Sequence, residues 1–162
     1  MPTSREACAS KNVIYQATVI QNDQTKNAYT GLCSTEFKKR LGVHRHTIRD
    51  EKVQQTSLSR FAWDLKRKNK NFEITWKILD RGEPFSPVSG RCELCLKEKF
   101  YILFRPESAD INSRDEVFSA CRHKRLKLLI PPVRKKIGPG WLISENWLSF
   151  FLWINPNLCI NV

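Results

Sequence analysis

The chain has 162 residues, enough for one domain with a hydrophobic core, and 41% of them are hydrophobic, which excludes a disordered polymer. Its 28 lysines and arginines against 16 aspartates and glutamates give a net charge of +12, which favours a polyanionic partner, most simply a nucleic acid. The polar N-terminus has no signal-peptide core, and no segment has the roughly 20 apolar residues of a membrane span, so we expect an intracellular protein.

The first elements in chain order are two predicted β-strands. Residues 12–21 are rich in residues that favour β-strands, and residues 28–33, AYTGLC, are interpreted as a second strand. The polar segment between them is longer than a two-residue turn, so the sequence predicts a hairpin with an extended loop.

Two amphipathic helices are predicted after the hairpin. Ser34 is the predicted cap of a helix over about 35–50, and Ser57 precedes a second helix over about 58–69. The residues expected to face the core recur at helical spacing: Phe37, Leu41, His44 and Ile48 in the first helix, and Leu58, Phe61, Ala62 and Leu65 in the second.

The next predicted elements are a strand and a third helix. Residues 72–79 alternate between apolar and polar residues, which is typical of a half-buried strand. A loop rich in Pro, Gly and Ser separates this strand from a helix over about 91–105, and a short helical piece is predicted near 115–121. The order β-β-α-α-β-α predicts an α+β domain.

Composition divides the chain into a domain and two flanking segments. It changes at Pro131, after which residues 131–162 are Trp-rich and poorly patterned. We interpret 11–130 as the domain, 1–10 as an N-terminal segment and 131–162 as an apolar appendage. Docking on the domain, binding to a membrane or partner, and an accidental extension of the reading frame all remain open for the appendage.

Glu98 lies in the middle of an apolar helix face. Leu94, Tyr101 and Ile102 are its neighbours on that face, because residues three and four apart adjoin each other. An unpaired carboxylate is costly to bury there. The sequence therefore leaves three alternatives: an ion pair with Lys or Arg, a position at the rim, or a metal ion.

The cysteines form a separate candidate site. Without a secretion signal, the six cysteines are expected to be free thiols or metal ligands, and a helix start lowers a thiol pKa. Four ligands for a structural Zn²⁺ ion are predicted from a set of five residues: Cys92, Cys95, Cys121, His123 and Cys8. Cys8 is included because the spacing of the Cys-x-His pair is tight. The alternative is a set of buried free thiols.

Several single residues become informative when their order is considered. Taken one by one, Tyr15 and Tyr29 on neighbouring strands are explained by packing, and Arg40 and His44, four apart on a helix, by a solvated basic face. In combination they resemble the GIY-YIG nuclease family. The matching residues are Val13-Ile14-Tyr15 and Tyr29-Thr30-Gly31 as the two tripeptides, then Arg40, His44, Glu98 and Asn112.

The resemblance covers residues 8–126. Over this range the chain is similar to the GIY-YIG domains of animal retroelements, including relatives of the Penelope-like group. Two positions depart from the family pattern, since Val13 replaces the leading Gly and Thr30 the central Ile. The resemblance implies a central three-stranded, mostly antiparallel sheet flanked by helices. It also implies a DNA endonuclease that belonged to a mobile element.

The resemblance further implies catalytic roles for six residues. Glu98 would hold a single Mg²⁺ or Mn²⁺ ion, and one or two carboxylates are enough for Mg²⁺. The implied tasks of the others are as follows: Tyr15 activates or orients the attacking water, Tyr29 positions water or phosphate, Arg40 clamps phosphate oxygens, His44 assists proton transfer or binds phosphate, and Asn112 orients neighbouring groups.

DNA is the implied partner, with no small-molecule substrate, and a nuclear location follows if chromosomal DNA is the target. The basic stretches 38–46 and 66–70 are the predicted contacts with the DNA backbone, unless they are solvated helix faces. The alternatives are a catalytically inactive nucleic-acid-binding module and a zinc-stabilised interaction module on the same fold. The sequence leaves the oligomeric state open.

Overall fold

A computed structural model of the protein describes residues 8–53, 55–113 and 120–123. Within these ranges the predicted order β-β-α-α-β-α is confirmed, and with it the α+β class. The elements are β1 (Val13–Gln21), β2 (Lys26–Cys33), α1 (Phe37–Arg49), α2 (Ser57–Arg67), β3 (Phe72–Arg81) and α3 (Glu93–Phe104), followed by a short 3-10 turn, Pro106–Ser108.

The three described strands form an antiparallel sheet, as expected, and their order in the sheet is β2-β1-β3. Strand β1 is the central strand, with Val13 and Val19 buried on one face and Ile14 buried on the other. In the register of β1 and β2, Tyr15 pairs with Gly31. A bulge between Ile14 and Tyr15 shifts the pairing of β1 with β3. The register therefore puts the ends of the two tripeptides side by side.

Successive residues of β1 face two different cores. Tyr15 belongs to a cluster with Phe37 of α1 and Leu58 of α2, whereas Ile14 belongs to a cluster with Leu94 of α3. Helices therefore cover both faces of the sheet. The predicted alternation in β3 is confirmed, since half-buried and exposed residues alternate from Phe72 to Ile78.

Both predicted helix starts need correction. Helix α1 begins at Phe37 with Glu36 at the capping position and no side-chain cap. Ser34 was the wrong choice because the Phe37 N–H already donates to the carbonyl of Ser10, 2.9 Å away. Ser57 is the first residue of α2, and Thr56 is its cap in a reciprocal capping box with Ser59.

Some predictions fall on residues that the structure does not describe. The helical piece near 115–121 lies mostly outside the described residues, and so does the whole of the appendage 131–162. In the part of the chain that is described, no helix is both long enough and apolar enough to cross a membrane.

Candidate active site and metal centre

The hydroxyl of Tyr15 is the meeting point of two side chains from α1. It lies 2.7 Å from Nε2 of His44, and Nε of Arg40 donates a hydrogen bond to it across 3.0 Å. Both Tyr15 and His44 are completely buried. The i, i+4 spacing of Arg40 and His44 thus directs both side chains to one oxygen, and neither residue belongs to a merely solvated face.

Burial determines the protonation of this pair. Desolvation raises the pKa of Tyr15 to about 12, although the charge of Arg40 opposes the rise. Desolvation, together with the charge of Arg40, lowers the pKa of His44 to about 3. At neutral pH a protonated Tyr15 therefore donates its hydroxyl proton to a neutral His44, because Arg40 can only donate.

The tautomer of His44 follows from this arrangement. Since Nε2 accepts from Tyr15, the ring proton is assigned to Nδ1. Nδ1 is buried and has no hydrogen-bond partner among the described residues. A buried polar atom without a partner is costly, and such costs are concentrated at functional sites.

Gly31 provides the space that Tyr15 occupies. A Cβ atom at this position would lie 2.6 Å from the Tyr15 hydroxyl oxygen, 2.8 Å from Cζ of Tyr15 and 3.0 Å from Cε1 of Tyr29. Real Cβ atoms do not approach so closely, so a side chain here would displace one of the rings. The closeness of the Tyr15 and Tyr29 rings therefore explains why the second tripeptide ends in a glycine.

Tyr29 lies beside the same pair. It is buried, with its ring centroid 6.5 Å from that of Tyr15 and 6.0 Å from that of His44. Burial lowers the pKa of Arg40, but its interactions with the Tyr15 and Tyr29 hydroxyls outweigh this effect and raise it overall. The two tyrosines and two α1 residues thus form one connected group.

The two departures from the family pattern have structural uses. Val13 is buried in the cluster that contains Tyr15, where a β-branched residue fits a central strand. Thr30 is buried, and its hydroxyl donates to the carbonyl of Ser108 across 2.7 Å. Among the described residues, neither of them leaves a buried polar side-chain atom without a partner.

Asn112 acts on the backbone of the second tripeptide. Its Oδ1 accepts from the Thr30 N–H at 2.8 Å, and its Nδ2 donates to the Thr30 carbonyl at 2.9 Å. Asp110 accepts from the Ala28 N–H, and the Ile111 N–H donates to the Ala28 carbonyl. Asn112 therefore completes the outer edge of β2, and it orients Tyr29 and Gly31 through the strand. The sequence prediction missed Asp110.

Glu98 is paired with an arginine, which is one of the three alternatives that the sequence left open. Its carboxylate, 8% exposed, lies 3.5 Å from Nη2 of Arg122, whose side chain is 47% exposed. The charge of Glu98 raises the pKa of Tyr15 and that of Arg122 lowers it, so both groups lie within electrostatic range of the Tyr15 hydroxyl. The sequence prediction missed Arg122, and its position between two candidate ligands was the available signal.

Four of the five predicted zinc ligands come together. The ligand atoms of Cys92, Cys95, Cys121 and His123 all lie within 4.8 Å of one another. Nδ1 of His123 is 3.2 Å from the Cys92 sulfur, 3.4 Å from the Cys95 sulfur and 4.0 Å from the Cys121 sulfur. Metal–sulfur and metal–nitrogen bonds of about 2.3 and 2.0 Å in a tetrahedral site need this kind of spacing. The cluster can therefore bind a metal ion such as zinc.

Cys8 is not a member of this cluster among the described residues. The tight spacing of Cys121 and His123 does not prevent both from joining it, because the chain turns between them and the His123 N–H donates to the Cys121 sulfur at 3.4 Å. Burial raises the pKa of Cys92 and Cys95, so it outweighs the expected effect of the helix start. Metal binding must consequently release protons from these thiols.

The two predicted basic stretches differ in their surroundings. In the 66–70 stretch, Arg67 pairs with Glu51 and Asp64, and Lys70 pairs with Asp23. On α1 the exposed cations include Lys38, Lys39 and Arg45, and no salt bridge between described residues involves them. Helix α1, which also carries Arg40, therefore presents the more available positive charge.

Comparison of the chain with models of protein families, with curated proteins and with solved structures found no match.

Proposed function

We propose that this protein is a metal-dependent DNA endonuclease of the GIY-YIG type, derived from a retroelement, which hydrolyses a phosphodiester bond with one divalent cation. The observation that supports the proposal is the convergence of Arg40 and His44 on the Tyr15 hydroxyl. Beside this hydroxyl lies Gly31, where any side chain would displace a tyrosine ring. Packing alone does not require two polar groups on one buried hydroxyl.

Tyr15 is the group that activates the attacking water. Its oxygen accepts a proton from the water as its own proton moves to Nε2 of His44. The Tyr15 oxygen stays neutral through this relay, and the proton comes to rest on His44. Arg40 holds the Tyr15 oxygen in place through its Nε–H, and its remaining N–H groups can hold phosphate oxygens. The bond from the water oxygen to phosphorus forms as the bond from phosphorus to the leaving sugar oxygen breaks.

Glu98 is the proposed ligand of the divalent cation. The donor set fits Mg²⁺ or Mn²⁺, because one buried carboxylate within electrostatic range of Tyr15 is the kind of anchor that Mg²⁺ uses with its waters. When bound, the cation supplies positive charge that stabilises the departing oxygen. The Cys92/Cys95/Cys121/His123 cluster would hold a structural Zn²⁺ ion at the start of α3, three residues from Glu98.

The partner of this site is DNA, and chromosomal DNA would place the protein in the nucleus. The exposed cations of α1 support this proposal, because they extend from Arg40 along one helix and lack salt bridges to described residues. Contacts with phosphates carry little sequence information, so the binding should be salt-sensitive and weakly specific.

Nicking of supercoiled plasmid in Mg²⁺ or Mn²⁺, with and without chelator, tests this proposal. Glu98→Gln should abolish metal-dependent nicking and retain zinc. Glu93→Gln is the matched control, since Glu93 is an exposed residue of the same helix, paired with Lys97. Equal nicking by the Glu98→Gln and Glu93→Gln variants would refute the assignment.

A second candidate, a catalytically inactive DNA-binding module, is favoured by one observation. Arg122 neutralises Glu98, and the pKa of Tyr15 is about 12, so the carboxylate is ion-paired and the hydroxyl is strongly protonated. This candidate predicts salt-sensitive retardation of plasmid in a gel, without nicking in either metal.

A further inference from the structure

Arg122 connects the metal centre to the candidate active site. Its neighbours in the chain are Cys121 and His123, two members of the four-residue cluster. Its guanidinium lies 3.5 Å from Glu98, the proposed ligand of the divalent cation. One exposed side chain thus extends from one candidate metal site to the carboxylate of the other.

The backbone around Arg122 is held on both sides by the cluster. The sulfur of Cys121 accepts from the His123 N–H at 3.4 Å, and the His123 ring contacts the sulfurs of Cys92 and Cys95. Cys95 and Glu98 are three residues apart on α3, so they share one helix face. A metal ion bound by the four ligands would therefore hold the backbone of Arg122 close to Glu98, while its side chain stays free to turn.

Arg122 and a divalent cation have the same electrostatic partner. Glu98 is almost fully buried, and a buried carboxylate needs a counter-charge. Two cations within a few ångströms of one carboxylate repel each other, and the repulsion is strong where water is largely excluded. Binding of either cation at Glu98 therefore weakens binding of the other.

We propose that Arg122 is a positioning residue that competes with the divalent cation for Glu98 and thereby sets the affinity of the active site for metal. In the resting protein, Arg122 occupies the carboxylate. A divalent cation must displace the guanidinium, which can move because nearly half of its side chain is exposed. This inference rests on the proposed function, since it assumes that Glu98 binds a divalent cation.

Titration of zinc-loaded protein with Mn²⁺, followed by the loss of the free Mn²⁺ paramagnetic resonance signal, tests the inference without any DNA. Arg122→Ala should bind Mn²⁺ about five- to tenfold more tightly than the wild type, as expected for loss of one competing ion pair. Arg122→Gln should also bind Mn²⁺ more tightly than the wild type, so the test remains decisive even if the alanine variant fails to fold. Zinc content reports whether the centre is intact.

Arg105→Ala is the control for net charge. Arg105 is an exposed residue that directly follows α3 and pairs with Glu107, and its replacement removes the same unit charge. Its Mn²⁺ affinity should stay within about twofold of the wild type, because exposed charges are screened by salt. Arg122→Ala behaving like Arg105→Ala would overturn the inference.

Glu98→Gln separates failure of the inference from failure of the proposed function. If Glu98→Gln weakens Mn²⁺ binding but Arg122→Ala does not tighten it, only the competition is wrong. If no variant shows Mn²⁺ binding that depends on Glu98, the proposed nuclease site is wrong as well, and the inference falls with it.

Discussion

The hydroxyl of Tyr15 and Nε2 of His44 lie 2.7 Å apart in a fully buried part of the domain. Strand β1 supplies one member and α1 the other, so the hydrogen bond depends on how the helix packs on the sheet. The same oxygen also accepts a hydrogen bond from Arg40. A small domain does not need this arrangement for stability, because apolar side chains of similar shape would fill the same volume.

Tyr15→Phe should remove activity and retain the fold. The phenyl ring keeps its contacts with Phe37 and Trp76, but the loss of the hydroxyl leaves His44 and Arg40 without this partner. We expect nicking to fall by about 100-fold or more and the free energy of unfolding to fall by about 1–3 kcal/mol. Plasmid nicking and urea unfolding measure the two effects.

Tyr101→Phe is the control for this change, since Tyr101 is a half-buried tyrosine of α3. It should leave nicking unchanged. An active Tyr15→Phe variant would show that Tyr15 is a packing residue.

Gly31→Ala should destabilise the domain because its Cβ would lie 2.6 Å from the Tyr15 hydroxyl. We expect a loss of about 1–3 kcal/mol in urea unfolding, as for other overpacked cores. Gly42→Ala is the matched change. Gly42 lies in the middle of α1, and a Cβ atom added there would meet no heavy atom within 4 Å. It should stabilise the domain by up to about 1 kcal/mol. Equal effects of the two substitutions would contradict the packing described for Gly31.

The stability of the domain should depend on pH through His44. The pKa of His44 is about 3 in the folded protein against 6.5 ordinarily, so the unfolded chain takes up the proton more readily. The contribution of neutral His44 to the free energy of unfolding is fully present above pH 6.5 and declines as the pH falls towards 3. Over this window the free energy of unfolding falls by at most about 1.4 kcal/mol for each unit of pH.

Urea unfolding of His44→Gln and His46→Gln at a series of pH values checks this slope. His46 is exposed on the same helix, so its variant should follow the wild type. His44→Gln should be less sensitive to acid across the same window, and an unchanged slope in that variant would disprove the assignment.

Metal analysis tests the cysteine cluster. The purified protein should contain about one zinc per chain, and Cys95→Ser should lose most of it, because three ligands hold the ion more weakly than four. Cys33→Ser is the control, since Cys33 is buried but its sulfur contacts Thr35 and Glu36 instead of the cluster. A chelator should lower the melting temperature of the wild type and leave that of Cys95→Ser almost unchanged. Full zinc content in Cys95→Ser would refute the site.

The order of elements was predictable because hydrophobic periodicity records which faces are buried. Phe37, Leu41, His44 and Ile48 recur at the period of a helix, and all four are buried or half-buried in α1. The start of α1 was not predictable from the same pattern. It depends on the Ser10 carbonyl, which meets the Phe37 N–H only in the folded chain.

The candidate site was predictable in its residues but not in all of its contacts. Spacing alone placed Arg40 beside His44, and it gave five candidate zinc ligands, of which the structure brings four together. It did not indicate that Asn112 would pair with the backbone of Thr30, or that Arg122 would neutralise Glu98. Both contacts join segments far apart in the chain, and local pattern carries no information about such distances.

The proposed role of Glu98 and Tyr15 in a nuclease is tested most directly by a time course of plasmid nicking in Mg²⁺ by the wild type and by Glu98→Gln. DNA binding is followed by gel retardation in the same samples. We expect both proteins to retard the plasmid and the wild type alone to nick it. Retardation by both proteins with no nicking by either would contradict the proposed nuclease and identify an inactive DNA-binding module.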